Sequence, residues 1–234
     1  MGQYCVTKAV LLLGYSHQMP VLIDAPLTPA SNTRLQRPWR EQSKTMAAAV
    51  AMISVPLDCP GLVVPPGSQD THGIMLIKRS KHLRGHSGQW ALPGGKQEKH
   101  ESLWSTAKRE LHEETQLDAN HVRWFGDLGY LLTGTGYRAQ VYLGHLDVPR
   151  PLNADGGEAV ELAAYPMSWL LRSDTWRHRT VDVIQGRHFS WGHPDPALDW
   201  KTPLWGATAF MMLALRQRLA PQMPLPDFQP KRDA

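Results

Sequence analysis

Residues 95–117 read GKQEKHESLWSTAKRELHEETQL, and inside them Arg109-Glu110-Leu111-His112-Glu113-Glu114 sets three carboxylates and one arginine within two helical turns. Successive helical residues are rotated by about 100°. With Leu103 at zero, Ala107 falls near ~40°, Leu111 near ~80°, and Glu110 and Glu114 within about 20° on either side. Ser105, Lys108 and His112 fall on the opposite side. The pattern predicts an amphipathic helix whose inward stripe turns acidic toward its C-terminal end, with Glu113 on the flank.

A charge run is usually a solvated face. Here the solvent side is already taken by Ser105, Lys108 and His112. Carboxylates about 5 Å apart repel by roughly 3 kcal/mol per pair at an effective dielectric of about 20. Acids near a helix C-terminus are further disfavoured by the macrodipole. Arg109 supplies one compensating charge. A hard divalent cation with oxygen ligands would supply the rest.

The wider spacing carries a resemblance. Gly95 and Glu101 are separated by five residues, Glu101 and Arg109 by seven, and Arg109-Glu110-Leu111 leads through Glu113-Glu114 to Gln116-Leu117. This resembles the Nudix box. The resemblance implies an α/β/α sandwich with a mixed central sheet, a loop-helix-loop catalytic motif, and hydrolysis of a nucleoside diphosphate linked to another moiety. One position departs: Gln116 stands where the family has glycine. Glycine suits a left-handed helix exit. A glutamine there costs about 1 kcal/mol if it adopts the same conformation, so a slightly different helix end is expected.

Upstream, Met75-Leu76-Ile77-Lys78-Arg79-Ser80 is followed by Arg84, Gly88 and Leu92-Pro93-Gly94-Gly95. This is similar to the additional signature of coenzyme A pyrophosphatases within the family. Ile77 replaces a threonine of that signature and Leu92 a phenylalanine. Weaker likenesses follow in Glu158 to Glu161 with Tyr165-Pro166 and the helix after it, in His188-Phe189, and in Leu204 to Ala209. Together they give a Nudix domain over 46–219, an extension over 1–45 and a Pro-rich tail over 220–234.

The resemblance assigns roles residue by residue. Glu110, Glu113, Glu114 and the Gly95 carbonyl are the metal ligands, and Mg²⁺ or Mn²⁺ suits an all-oxygen set. Arg109 orients the glutamates through Glu101. Glu113, Glu114 and Glu158 are candidates for the general base. Asp155-Gly156-Gly157 reads as a flexible turn that lets Glu158 swing over the site. Arg79, Arg84 and Gly94 would bind substrate phosphates, since arginine grips phosphate through paired hydrogen bonds.

The implied substrate is coenzyme A or acyl-CoA, cleaved to 3′,5′-ADP and (acyl-)4′-phosphopantetheine. Two alternatives remain open. One is the same chemistry on ADP-ribose, NADH or a nucleoside triphosphate. The other is a nucleotide sensor without turnover, which three crowded acids argue against.

Other motifs fail on inspection. Gly95-Lys96 is no phosphate-binding P-loop, because Trp90 precedes it where glycine is required and Gln97 follows the lysine. His112-Glu113 lacks the second histidine of a zinc protease, having Gln116 there. A net charge of +4 with sparse aromatic interleaving argues against a nucleic-acid partner. No apolar run approaches the roughly 18 residues of a membrane span, so no membrane partner is expected. The run from Ala9 to Gly14 is shorter than the ~7–15 residues of a signal-peptide core. With two cysteines in no motif, a cytoplasmic, reduced protein is expected; a homodimer is compatible with the sequence.

Between the motifs, the pattern predicts a buried strand over 46–56 and an insertion loop over 59–72, marked by Pro60-Gly61 and Pro65-Pro66-Gly67. Further strands are expected over 73–79, 124–132 and 137–146, the last two joined through Thr133 to Gly136. One short helix is expected over 34–44 and a last helix over 204–219.

Overall fold

The computed structural model describes residues 10–14, 20–24, 45–83, 85–172, 176–183, 186–192 and 204–220. For 10–14, 20–24, 177–183 and 186–192 the backbone alone is described. The helix expected over 34–44, Arg84 and the tail beyond residue 220 lie outside the described residues.

In chain order the strands begin with β1 (Val10–Gly14), β2 (Pro20–Asp24), β3 (Met46–Pro56), β4 (Leu62–Val63), β5 (His72–Arg79), β6 (Trp90–Ala91) and β7 (Gly94–Lys96). Helix α1 (Leu103–Thr115) follows, then β8 (Val122–Leu132), β9 (Tyr137–Leu146), β10 (Ala159–Pro166) and α2 (Met167–Leu171). The last elements are β11 (Arg177–Val183), β12 (Gly186–Gly192) and α3 (Gly206–Leu219).

An eight-stranded mixed sheet runs in the order β4-β10-β5-β3-β9-β8, with β6 paired to β5 and β7 to β3. The β3–β9 and β10–β4 pairs are parallel and the other pairs of this sheet antiparallel.

Side-chain alternation explains why this sheet is covered on both faces. Ala48 and Met52 of β3, Ile74 and Leu76 of β5, and Ala163 and Tyr165 of β10 enter one buried cluster. Their neighbours Ala51 and Ile53, Met75 and Ile77, and Leu162 and Ala164 enter a second. Strand side chains alternate with period two, so strands apolar at every position need cover on both sides. α1 covers the second cluster through Leu111. α2 and α3 cover the first through Met167, Leu170, Phe210 and Met212. The expected α/β/α sandwich with a mixed central sheet is the observed architecture.

One expectation about the elements needs correction. The stretch 59–72 is not simply an inserted loop. Leu62-Val63 extends the sheet beside Leu162-Ala163 of β10, and Cys59 is buried. Within the extension, β1 and β2 pair as an antiparallel hairpin. Apolar runs of five residues fit strand or loop equally well in sequence, and pairing decides between them.

The helix end also differs from expectation. Gln116 leaves α1 at φ 57°, ψ 15°, in the left-handed conformation that glycine favours, and its N–H donates to the His112 carbonyl. The exit is therefore the glycine-type one, made by glutamine at a conformational cost of about 1 kcal/mol. Its side chain is exposed, so nothing packs against it to offset that cost. Gln116→Gly is expected to raise the midpoint of thermal unfolding by roughly 2–4 °C. An unchanged or lower midpoint would show that the left-handed exit carries no strain.

Candidate active site

Two adjacent glycines let the polypeptide enter the site. β7 lies against β3, with Gly94 opposite Val50 and Gly95 opposite Ala49. A Cβ on Gly94 would meet the Ala49 carbonyl oxygen at 2.5 Å and the Val50 Cα at 2.8 Å. A Cβ on Gly95 would run into the Glu110 carboxylate. The backbone can approach α1 this closely only without side chains.

α1 begins at Ser102, whose side chain accepts from the Ser105 N–H at 3.0 Å. Ala107 and Leu111 are fully buried, as the helical phase requires. The phase also orders the acids. Glu114 is 3% exposed, the Glu110 side chain 14% and the Glu113 side chain 54%.

Arg109 binds most of this cluster together. Its Nε donates to Glu101 Oε1 at 3.0 Å and its Nη2 to Glu101 Oε2 at 3.2 Å. Its Nη1 donates to Glu110 Oε1 at 3.0 Å and to Glu113 Oε2 at 2.8 Å. Nη2 also reaches the Lys96 carbonyl at 3.3 Å. Glu101 accepts further from the Thr106 hydroxyl at 2.8 Å and the Glu98 N–H at 3.2 Å. The Arg109 hydrogen bonds hold the Glu101 carboxyl below its ordinary range, and those to Glu101 in turn raise the Arg109 guanidinium.

Glu114 is the exception. Its Oε2 accepts from the Gly94 N–H at 2.9 Å, while its Oε1 is buried without a hydrogen-bond partner. Burial, reinforced by the charges of Glu110 and Glu158 and opposed by the Gly94 N–H and Arg79, pushes its carboxyl up to about 8. Burial likewise raises Glu110, with Arg109 opposing and Glu113 and Glu158 adding. A buried ionised carboxylate with an unsatisfied oxygen is costly unless a cation joins it. Among the described residues no preformed cluster of three or more acidic, histidine or cysteine ligands is found. Arg109 holds Glu110 and Glu113 instead.

These residues share one cleft of about 1480 Å³. Gly94, Gly95, Arg109, Glu110, Glu113, Glu114, Glu158 and Arg79 all line it. Glu101 stands behind Arg109 and anchors it. The basic stretch after residue 77 does not converge on the cleft. Lys78 pairs with Glu161 at 2.7 Å, Lys81 and His82 are exposed surface residues outside the lining, and only Arg79 and His86 of the described cations and histidines in this stretch line it.

The turn before Glu158 is held rather than free to swing. Asp155 Oδ2 accepts from the Glu158 N–H at 3.0 Å and Oδ1 from the Ala159 N–H at 2.6 Å. The Ser80 N–H donates to the Glu158 carbonyl at 2.8 Å. Sequence reasoning read Asp155-Gly156-Gly157 as a flexible turn and missed that the Asp155 carboxylate caps it.

It also missed the rest of the cleft wall, formed by Val50, Leu92, Thr133 to Thr135, Tyr137, Trp205, Gly206 to Thr208 and Met211. No sequence spacing signals such a wall, because its residues come from separate elements. Thr106 was more accessible to inference: it lies five residues after Glu101, on the buried side of α1.

The family model for the NUDIX domain matches residues 62–184. The chain is 31% identical over 150 residues to the uncharacterized Nudix hydrolase NudL of Yersinia pestis (strain Pestoides F), spanning 63% of this chain and 72% of that protein. The NudL protein of Yersinia pseudotuberculosis serotype O:3 (strain YPIII) matches to the same extent. Among solved structures, a MutT/nudix family protein from Enterococcus faecalis aligns with a TM-score of 0.47 at 19% identity, covering 79% of this chain and 66% of the other. The NUDIX domain of Shewanella oneidensis NrtR, crystallised with ADP ribose, aligns with a TM-score of 0.45 at 15% identity, covering 76% and 90%.

The buried acid makes a pH prediction. The Glu114 carboxyl titrates near 8 in the folded chain and near the ordinary glutamate value when unfolded, so its proton is held more tightly in the folded state. Its contribution to stability is present below about pH 4.5 and is lost as pH rises through about 8. In chelator-containing buffer, Glu114→Gln should therefore unfold at a higher temperature than the parent at pH 8, with the gap closing toward pH 4.5. A gap independent of pH would show that Glu114 is not the strained acid.

Proposed function

The chain belongs to the Nudix hydrolase family, and from that premise we propose that it hydrolyses the diphosphate bond of coenzyme A or acyl-CoA, giving 3′,5′-ADP and (acyl-)4′-phosphopantetheine. The chemical class is that of the family: pyrophosphohydrolysis of a nucleotide-type substrate with a divalent metal ion. The narrower assignment is supported by Arg79, which stands close enough to Glu114 to oppose its charge at the wall of the cleft. A substrate with a diphosphate and a further phosphate needs such a cation. The cleft exceeds the ~300–1,000 Å³ of ordinary small-ligand pockets, which suits a long substrate. The resemblance of Arg79-Ser80, Gly88 and Pro93-Gly94-Gly95 to the coenzyme A signature points the same way. Arg84, which completes that signature, lies outside the described residues.

We assign the hydrolase domain to 46–219, wider than the matched segment. β3 pairs with β5, β7 and β9 near the middle of the sheet, and α3 buries Phe210 and Met212 in its core. A domain lacking either would lose core cover.

The donor set fits a hard cation. Glu110, Glu113, Glu114 and the Gly95 carbonyl offer oxygens only, and the unpartnered Glu114 Oε1 is the kind of atom a cation satisfies. Mg²⁺ or Mn²⁺ suits that set. Such an ion, when bound, lowers the pKa of water and neutralises phosphate oxygens. The remaining work falls to side chains. Arg109, braced on Glu101, sets the directions of Glu110 and Glu113. The Gly94 N–H orients Glu114. Arg79 and the Gly94 backbone hold phosphate oxygens. Glu158, fixed at the cleft by Asp155, takes the proton of the attacking water; Glu113 and Glu114 are the other carboxylates in position to do so.

The deciding experiment incubates the protein with Mg²⁺ or Mn²⁺ and coenzyme A, acetyl-CoA, NADH, ADP-ribose and nucleoside triphosphates, with products identified by mass. Cleavage of coenzyme A or its acyl derivative to 3′,5′-ADP is expected. Turnover of ADP-ribose but not coenzyme A would refute the substrate, and no turnover at all would favour a sensor. For the site, Glu114→Gln should lower turnover by orders of magnitude and weaken the rise in unfolding temperature that Mg²⁺ or Mn²⁺ gives the parent. Near-normal turnover in that variant would remove Glu114 from the metal-binding set.

A further inference from the structure

Two aromatic side chains of the cleft have no part in the phosphate chemistry. Trp205 immediately precedes α3, and His86 lies in the loop between β5 and β6; both line the same cleft as Arg79 and Glu114. Their ring centroids are 6.5 Å apart and their planes inclined by 49°. Tilted as they stand, the rings form a pair; brought parallel at that separation, near twice the ~3.5 Å contact distance between carbon atoms, they would admit a flat ring between them.

Neither residue is of the type its backbone position favours. Trp205 occupies the N-cap position of α3, where a short polar side chain would accept a backbone N–H, and it makes no side-chain cap. His86 has a left-handed backbone, φ 55°. Such a conformation persists where the surroundings impose it, and it concentrates at functional sites. The surroundings are on view: the Gly88 N–H donates to the Arg79 carbonyl at 3.0 Å, and His86 Nδ1 lies 3.1 Å from Gln89 Oε1. The same loop therefore fixes the imidazole and the end of the strand that carries Arg79.

We propose that Trp205 and His86 form a stacking clamp for the nucleobase of the substrate. The base lies on the α3 side of the cleft and the diphosphate toward Gly94, Arg79 and Glu114. The exposed imidazole gives up its contact with Gln89 Oε1 and turns about its side-chain bonds to lie parallel with the indole, which needs no repacking of the core. Any base presents a π-face to such a clamp, so it grips the nucleoside without choosing between bases. The clamp rests on the reading of the chain as a nucleotide pyrophosphohydrolase and is independent of coenzyme A being the substrate.

AMP and ribose 5-phosphate share a phosphate and a sugar, differ in the base, and have no anhydride to cleave. Calorimetric titration of the full chain with each, in Mg²⁺, reads the base alone. AMP is expected to bind the more tightly. Trp205→Ala should weaken AMP by roughly 5- to 100-fold and leave ribose 5-phosphate unchanged, with Trp205→Phe restoring most of the loss. His86→Ala, in an exposed loop where folding is not at stake, should weaken AMP selectively by a smaller factor. In turnover, Trp205→Ala should raise KM with little change in kcat.

Equal binding of the two ligands by the parent chain overturns the clamp. So do alanine variants that weaken both ligands alike, or neither. Selective loss of AMP affinity in a chain that cleaves ADP-ribose and not coenzyme A refutes the substrate and keeps the clamp. Cleavage of coenzyme A without base discrimination does the reverse.

Discussion

One guanidinium joins the parts of this site. Arg109 donates to Glu101 through two nitrogens, to Glu110 and Glu113 through a third, and to the Lys96 carbonyl. These partners come from the loop before α1, from α1 itself and from β7. A planar fork with five donors can serve several oxygens in fixed directions, which an ammonium cannot. The acids that would repel one another along the helix are thereby spread around one cation. The bond to Lys96, together with the Gly94 N–H that donates to Glu114, ties α1 to β7 beside the glycine pair.

Glu114 lies beyond this arrangement, and that is what separates function from folding here. It follows Leu111 by three residues on the buried side of the helix, where an apolar residue would pack better. Instead a carboxyl sits with one oxygen on the Gly94 N–H and the other on nothing. A sequence selected for stability alone would not keep such a group, because an unpaired buried acid is among the costlier features of a protein interior. The cost is local and specific, which supports the cation-binding role proposed for Glu114.

The helix was legible because its period is simple. One phase angle placed Ala107 and Leu111 in the core, left Ser105 and His112 outside, and ordered the burial of the three glutamates. The strands were legible where apolar runs were long, as in β3, β8 and β9. Pairing was not legible: Leu62-Val63 looks like loop until β10 lies beside it. The basic stretch that begins at Lys78 divides for a reason found in strand geometry. Neighbouring residues of a strand point to opposite faces, so Lys78 and Arg79 cannot both reach one cleft. Lys78 goes to Glu161, and Arg79 to the cleft. Counting charges along a segment ignores that alternation.

The cleft has two walls with different origins. Residues 94–114 supply most of the acidic wall, a continuous segment held by contacts within itself, so its chemistry can be read from spacing. The other wall gathers Val50, Leu92, Tyr137, Trp205 and Met211 from five separate elements or loops, and its shape exists only once the sheet and α3 have packed. Changes there leave the Arg109 bonds untouched, since none of them runs to that wall. Substrate choice can thus vary while the cleavage machinery stays fixed. This is also why the sequence declared its reaction class more plainly than its substrate: the reaction rests on local geometry, and recognition rests on tertiary packing.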